Sequence, residues 1–174
     1  SEFDWSWPKK IDRDRLESAL KGDFVKSNRN IILAGAQGLG KTMLAKNIGY
    51  NAAINGNSTL FTSTSDMILC LKKEKSQMNL DRAFKKYVSP DLLIMDELGY
   101  LSYDCQAADL IFEVINRRYE TGSIVISTNL AFKDWNTIFP SASCLTAMID
   151  RLTHHAEVSK IEGDSFMLME SLKK

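Results

Sequence analysis

Residues 35–42 combine three glycines with a lysine and a threonine at fixed spacing. The stretch consists of Gly35, Ala36, Gln37, Gly38, Leu39, Gly40, Lys41 and Thr42. Glycines let consecutive backbone N–H groups turn inward and form a concave nest for phosphate oxygens. An apolar run precedes the stretch and a helical pattern follows it, so the helix N-terminus adds its positive dipole end to the nest. The match to G-x-x-x-x-G-K-[ST] therefore predicts binding of a nucleoside triphosphate.

Two side chains at the end of this loop have distinct predicted tasks. Lys41 can reach the β- and γ-phosphates, and the Thr42 hydroxyl can take one coordination position on Mg²⁺, which prefers hard oxygen ligands. The alternative is a glycine-rich turn that matches by chance. The buried-type strand before the loop and the amphipathic helix after it disfavour that alternative.

Two acids and an amide follow the next apolar strands. Asp96 and Glu97 end the run Leu92-Leu93-Ile94-Met95, and Asn129 follows a later apolar run. In P-loop enzymes such acids orient Mg²⁺ and polarise the attacking water, so we assign Asp96 to the metal and Glu97 to the water. The Asn129 amide could hydrogen-bond the γ-phosphate or that water. The alternatives are a solvated strand end and, for asparagine, an ordinary turn residue.

The elements that must position these residues alternate along the chain. Strands are predicted at residues 30–34, 59–62, 92–97, 123–127 and 158–161, with 158–161 and 166–169 forming a terminal strand or hairpin around Gly163-Asp164. Helices are predicted at residues 11–25, 41–54, 105–119 and 145–155, with two more between residues 65 and 88. This order predicts an α/β fold with a mostly parallel five-stranded sheet covered by helices on both faces. Ligands then bind at the carboxyl ends of the strands.

Composition limits the remaining possibilities. The chain has 174 residues, 44% of them hydrophobic, which suits one domain: an N-terminal arm and short helix (residues 1–28) packed on a core of residues 29–174. Lys and Arg (22) balance Asp and Glu (22), so a basic surface must be local. The three cysteines lack C-x-x-C spacing, and no apolar run approaches a membrane span. We therefore expect a cytoplasmic protein with no membrane partner.

Three further groups of residues allow more than one interpretation. Phe3, Trp5 and Trp7 either cover an edge of the core or lie beside the adenine. His154 and His155 are adjacent and lack the spacing of a metal pair on a helix face, so we interpret them as surface or packing residues. A basic region either contacts DNA or forms a solvated helix face. It contains Lys72, Lys73, Lys75, Arg82, Lys85 and Lys86.

Four segments give the chain a specific resemblance. GAQGLGKT, LLIMDELGYL, ADLIFEVINRRYETGSIVISTN and DRLTHHAEVSKIEGDSF closely resemble the IstB ATPases, helper proteins of bacterial insertion sequences. These belong to the AAA+ class and are similar to DnaC helicase loaders and, more distantly, to the DnaA initiator. The resemblance implies an AAA+ core, ATP hydrolysis at interfaces of a homo-oligomer, assembly on double-stranded DNA, and recruitment of a transposase.

The same resemblance implies roles for individual residues. Lys41 and Thr42 correspond to Walker A, Asp96 and Glu97 to Walker B, and Asn129 to sensor 1. By the same correspondence, Arg151 is the arginine finger, with Arg117 and Arg118 as rivals, and the basic region is the added helical element of initiator-type AAA+ proteins.

The chain also departs from the family pattern. It ends soon after Arg151, so we expect the helical lid of larger AAA+ proteins to be missing. It begins with Ser, and we expect a fragment that lacks an N-terminal domain.

Two other functions fit the same residues. A DnaC-like helicase loader has the same fold and would differ by binding a replicative helicase in place of a transposase. A P-loop phosphotransferase acting on a small molecule would hydrolyse ATP slowly without its acceptor and remain monomeric. Glu97, as a second acid, favours water as the acceptor.

Overall fold

The computed structural model describes residues 10–140 and 143–163. The strands are β1 (Lys10–Ile11), β2 (Asn30–Gly35), β3 (Thr59–Ser63), β4 (Leu92–Leu98), β5 (Ser123–Thr128) and β6 (Ala156–Glu162). The α-helices are α1 (Arg13–Lys21), α2 (Lys41–Ile54), α3 (Thr64–Lys72), α4 (Gln77–Val88), α5 (Cys105–Arg118) and α6 (Leu145–Thr153). Two 3₁₀ helices span Asp23–Ser27 and Phe132–Thr137.

Five parallel strands form the predicted sheet. The strand order is β1-β6-β2-β5-β4-β3, in which β6, β2, β5, β4 and β3 are mutually parallel. Strand β1 adds a short antiparallel edge to β6, which the sequence did not predict. Parallel pairing brings the carboxyl ends of β2, β4 and β5 to one edge of the sheet. That edge carries the residues with predicted chemistry.

Helices cover both faces of the sheet, as expected. Ile31 and Leu33 of β2 pack with Leu44 and Ile48 of α2 on one face, where α1 also lies. Ile32 belongs to the larger core on the other face, which is built from α3, α4, α5 and α6. Because successive strand residues point to opposite faces, the continuous apolar runs are buried from both sides.

Some element boundaries differ from the predictions. The first helix begins at Arg13, because the Asp12 carboxylate caps it by accepting the Arg15 N–H at 3.2 Å, and it ends at Gly22 in a left-handed conformation. The predicted helix over residues 11–25 is therefore too long at both ends.

Two predictions fall partly or wholly outside the described part of the chain. Strand β6 forms, whereas the second hairpin arm at residues 166–169 lies outside the described residues. The arm aromatics Phe3, Trp5 and Trp7 lie outside them too. Within the described ranges, no helix has the length and apolarity to cross a membrane.

Candidate active site

The loop between β2 and α2 owes its shape to two glycines. Gly38 and Gly40 have φ angles of 81° and 78°, a region that side-chain-bearing residues rarely adopt. Gly40 caps α2 without a side-chain hydrogen bond, so no side chain competes for the first-turn N–H groups of the helix. Leu39 is buried in the α2-side core and anchors the loop. The result is an N–H-rich cradle at the positive end of α2, suited to phosphate.

Lys41 lies inside this cradle. Its Nζ donates to the carbonyl oxygens of Gly35 and Ala36 at 2.7 Å each, and the residue is 4% exposed. Burial lowers the pKa of Lys41, and the charge of Asp96 acts in the opposite direction. An ammonium group removed from water in this way interacts strongly with an incoming anion.

Asp96 lies beside the start of α2, as a predicted metal ligand should. Its Oδ1 accepts from Thr42 Oγ1 at 3.3 Å and also from Ser127 Oγ, and the residue is 4% exposed. Thr64 Oγ1 holds the Asp96 backbone carbonyl at 2.9 Å. A buried carboxylate with a neighbouring threonine hydroxyl is the oxygen-only donor set that Mg²⁺ prefers, so these residues fit that ion.

Glu97 is directed away from Asp96 by the local backbone. The pairing of β4 with β5 shifts register between Met95 and Leu98, and Glu97 has a φ of 62°, rare for a residue with a side chain. Its N–H donates to Ser127 Oγ at 2.9 Å, and its side chain is exposed. The bulge thus separates two adjacent acids, one buried beside Thr42 and one free to meet solvent.

Asn129 shares a cavity with the glycine loop. The cavity has a volume of about 770 Å³ and includes Gly35, Ala36, Leu39 and Asn129 in its wall. Among residues 10–140 and 143–163, the buried Asn129 Oδ1 has no hydrogen-bond partner. A Cβ on Gly99, whose φ is 101°, would lie 3.0 Å from this oxygen, so glycine permits the close approach. The Asn129 amide therefore lies at the predicted edge of the sheet, and its oxygen has no hydrogen-bond partner among the described residues.

Sequence reasoning missed Ser127. This serine connects both acids, since it donates to Asp96 and accepts from Glu97. The available signal was a hydroxyl residue near the end of the apolar run Ser-Ile-Val-Ile-Ser-Thr. A polar residue in a strand that is buried on both faces needs a partner, and a neighbouring strand end is where such a partner lies.

The three arginines proposed as fingers have different environments. Arg118 is 1% exposed and donates to five backbone carbonyls, those of Tyr87, Val88, Pro90, Asp91 and Ser123. Arg117 pairs with Glu113 at 2.6 Å and with Asp81 at 3.1 Å. Arg118 therefore has a structural role, and the Arg117 guanidinium is already paired with two acids of its own chain.

Arg151 lies far from the glycine loop of its own chain. Its guanidinium stacks over Phe112 and Tyr119, 5.0 and 6.0 Å from the ring centroids. The carbonyl of the next residue, Leu152, accepts from Asn30 Nδ2 at 3.2 Å, at the first residue of β2. The loop starts five residues further along β2, about 17 Å away at 3.3 Å per residue. An arginine side chain does not span that distance.

The predicted basic region divides into two parts. Lys72 is held by both oxygens of Asp104, at 2.9 and 2.7 Å, and only 28% of its side chain is exposed. The other five cations are exposed: Lys73, Lys75, Arg82, Lys85 and Lys86. Spacings of three and four place the last three of these on one face of α4.

Comparison with solved structures identifies the class of protein. A DnaC helicase loader superposes with a TM-score of 0.73 at 21% identity, over 89% of this chain and 93% of that one. A DnaA initiator bound to AMPPCP and single-stranded DNA gives 0.72 at 20% identity, over 92% of this chain and 49% of that one. At these identities the likeness concerns the fold. Together, the fold and the glycine loop define an AAA+ P-loop ATP-binding domain.

Sequence comparison then places the chain within that class. The family model described as IstB-like ATP binding protein matches residues 1–174, and the chain belongs to this family. A protein from Bacillus thuringiensis subsp. berliner, named for ATP binding and insertion sequence IS232, is 36% identical over 99% of this chain and 69% of its own length. A counterpart from Pseudomonas aeruginosa, named for IS21, is 37% identical over 99% of this chain and 65% of its own length. The chain thus spans about two thirds of these relatives.

Proposed function

We propose that this chain is an ATP-hydrolysing helper of insertion-sequence transposition that assembles on double-stranded DNA and recruits a transposase. One observation carries the enzymatic part of this proposal. Lys41, Thr42, Asp96 and Asn129 converge at one sheet edge, and the exposed acid Glu97 stands beside them. Family membership supplies the transposition context.

The residues divide the work of hydrolysis as follows. The cradle N–H groups and Lys41 bind the β- and γ-phosphates. Thr42 and Asp96 would hold Mg²⁺, which neutralises charge on the phosphates when it is bound. Glu97 orients a water molecule and accepts its proton as the water oxygen bonds to the γ-phosphorus. The bond from that phosphorus to the β–γ bridging oxygen breaks, and ADP is the leaving group. Asn129 donates from its amide to the same water or to a γ-phosphate oxygen.

Separate measurement of ATP binding and turnover tests this division. Glu97→Gln keeps the shape and removes the base, so turnover should fall by roughly 10²- to 10⁴-fold while ATP affinity changes little. Lys41→Ala should weaken ATP binding itself. Glu17→Gln, which changes an exposed acid on α1, is the matched control and should behave as wild type. Normal turnover by Glu97→Gln would refute the assignment.

We propose that Arg151 acts on ATP bound by the neighbouring subunit. The distance along β2 prevents action within the chain, and the partly exposed guanidinium could offset charge on the γ-phosphate of a partner. Its loss should reduce turnover by about 10³-fold. Mixing Arg151→Ala with Lys41→Ala protein should restore turnover above either variant alone. No recovery in oligomers proven to be mixed would contradict action between subunits.

The DNA surface is proposed to be the exposed part of the basic region. Five unburied cations in a protein without net charge support it. Binding should depend little on base sequence and fall steeply with salt, by about 0.9 logarithmic units per phosphate contact for each tenfold salt increase. Lys85→Ala/Lys86→Ala should lower affinity and flatten that slope. Lys21→Ala/Lys26→Ala removes the same charge from the α1 side and should leave both unchanged. Equal slopes for all three proteins would place the DNA surface elsewhere.

Co-purification distinguishes the partners. A transposition helper should retain the transposase encoded with it, whereas a helicase loader should retain a replicative helicase. Retention of the helicase alone would overturn the transposition assignment. The phosphotransferase alternative predicts slow turnover until a small-molecule acceptor is added, and a monomer at all ATP concentrations. Duplex DNA that raises ATP turnover without any such acceptor would exclude it.

A further inference from the structure

The edge of the sheet opposite the glycine loop carries a second group of side chains, each with a potential metal-ligand atom. Glu120 lies in the turn between α5 and β5, and His154 and His155 lie between α6 and β6. One potential ligand atom from each lies within 4.8 Å of the others, and all three residues are exposed. The two histidines are the only ones in the 174-residue sequence, so the chain concentrates all its imidazole at this point.

Neighbouring contacts hold the group in place. The Tyr119 hydroxyl lies 2.8 Å from His154 Nδ1. The two imidazole rings have centroids 4.1 Å apart. Tyr119 thus contacts the first imidazole, and the second imidazole lies against the first.

The backbone at Glu120 adopts a strained, left-handed conformation. Glu120 has a φ of 61°, in the left-handed region that residues with a side chain rarely adopt. Its carbonyl is held by Asn28 Nδ2 at 2.9 Å. A glycine would adopt this backbone conformation without strain, whereas this position carries a carboxylate. Strain of this kind is concentrated at functional sites.

We propose that Glu120, His154 and His155 form a binding site for a borderline transition-metal dication, with Zn²⁺ as the best match. Two imidazoles and one carboxylate suit Zn²⁺, whereas Mg²⁺ requires a shell of oxygens. In a tetrahedral site with ligand bonds of 2.0–2.2 Å, ligand atoms are about 3.4 Å apart. Side-chain rotations can therefore bring the three ligand atoms from their present spacing to the spacing required around the ion. A water molecule completes the coordination shell. With Tyr119 at Nδ1, His154 has Nε2 left for the metal, an arrangement typical of ligating histidines.

The position of the site suggests its consequence, which rests on the proposed role of Arg151. Tyr119 lies against both His154 and the Arg151 guanidinium. A bound dication would fix Tyr119 and add positive charge beside the residue proposed to reach the neighbouring ATP. We expect ATP turnover by the assembled protein to fall when the site is filled.

Titration calorimetry with Zn²⁺ on the nucleotide-free full chain tests the site directly. Excess Mg²⁺ masks the Asp96 site, and a phosphine reductant keeps the cysteines reduced. Wild type should bind one Zn²⁺ per chain, Glu120→Gln should lose about tenfold in affinity or more, and His154→Ala/His155→Ala should lose at least 100-fold. Glu113→Gln, an acid on α5 outside the group, is the control and should match wild type.

Two results would overturn the proposal. One is a wild-type dissociation constant weaker than about 100 μM, and the other is unchanged affinity in the double histidine variant. If that variant does not fold, imidazole NMR of wild type decides, because both resonances belong to this site and must shift on addition of Zn²⁺. Inhibition of turnover that needs about tenfold more Zn²⁺ or higher in Glu120→Gln than in wild type separates this site from the ATP site. Zn²⁺ binding without inhibition would retain the metal site and refute only its link to Arg151.

Discussion

Replacing Arg118 by methionine should destabilise the protein more than the same replacement of Arg117 or Arg151. Its guanidinium donates to five backbone carbonyls at 2.7 to 3.0 Å, which belong to the end of α4, the link to β4, and the first residue of β5. Burial lowers the pKa of Arg118 to about 10, partly offset by Asp91, so the side chain remains charged at neutral pH. Arg118 thus joins three separate segments of backbone through one cation.

The magnitude follows from what the substitution leaves behind. Methionine fills most of the stem volume and donates nothing, so all five carbonyls lose the guanidinium, although that of Asp91 still accepts from the Ser123 N–H at 3.0 Å. Some will recruit water, and a loss of about 1.5 kcal/mol for each of the remaining two or three, since their donor was charged, gives about 3–5 kcal/mol. That is a large share of the roughly 5–15 kcal/mol that stabilises a typical domain. Lysine cannot restore it, because one ammonium has three donors and no fork.

Urea unfolding followed by circular dichroism measures the effect. With a slope of about 2 kcal/mol per molar urea, the midpoint should fall by about 1.5–2.5 M. Arg117→Met is the matched control: it removes a neighbouring arginine with surface ion pairs and should cost no more than about 1 kcal/mol. A loss below about 1.5 kcal/mol for Arg118→Met, or equal losses for both variants, would refute the reasoning.

Three smaller changes test the site and its supports. Ser127→Ala removes the hydroxyl that joins the two acids, so ATP turnover should fall about tenfold or more while the unfolding midpoint moves little; unchanged turnover would make that hydroxyl incidental. Gly99→Ala adds a Cβ 3.0 Å from Asn129 Oδ1 at a φ of 101°, and should lower turnover more than ATP affinity, as steady-state kinetics would reveal. The pKa of Asp91 is lowered by its hydrogen bonds from Ser58, so Asp91→Asn should cost stability above about pH 4. That cost should disappear as the pH falls through the lowered pKa, and a gap that persists at pH 2 would contradict the linkage.

The sequence by itself determined the elements with strong local signals. The bounds of α2 agree with the prediction at both ends, because the glycine loop starts the helix and Asn55-Gly56 ends it. The five parallel strands follow from apolar runs that only a doubly covered sheet buries. The eight-residue loop carries its own chemistry, since backbone N–H groups and one lysine bind phosphate wherever this local conformation forms. ATP binding and the family were therefore predictable without coordinates.

Tertiary structure decided everything that depends on contacts between distant parts of the chain. Arg117 and Arg118 are adjacent and of the same residue type. Arg117 nevertheless pairs with acids at the surface, whereas Arg118 is buried among five backbone carbonyls. Ser127 carries no motif, and its role arises because parallel pairing places β5 beside the end of β4. The edge that carries Arg151 and both histidines lies opposite the phosphate loop because α6 returns the chain to the start of β6, which pairs with the first residue of β2. Local sequence encodes a conformation, but only the packed sheet determines which residues face each other across it.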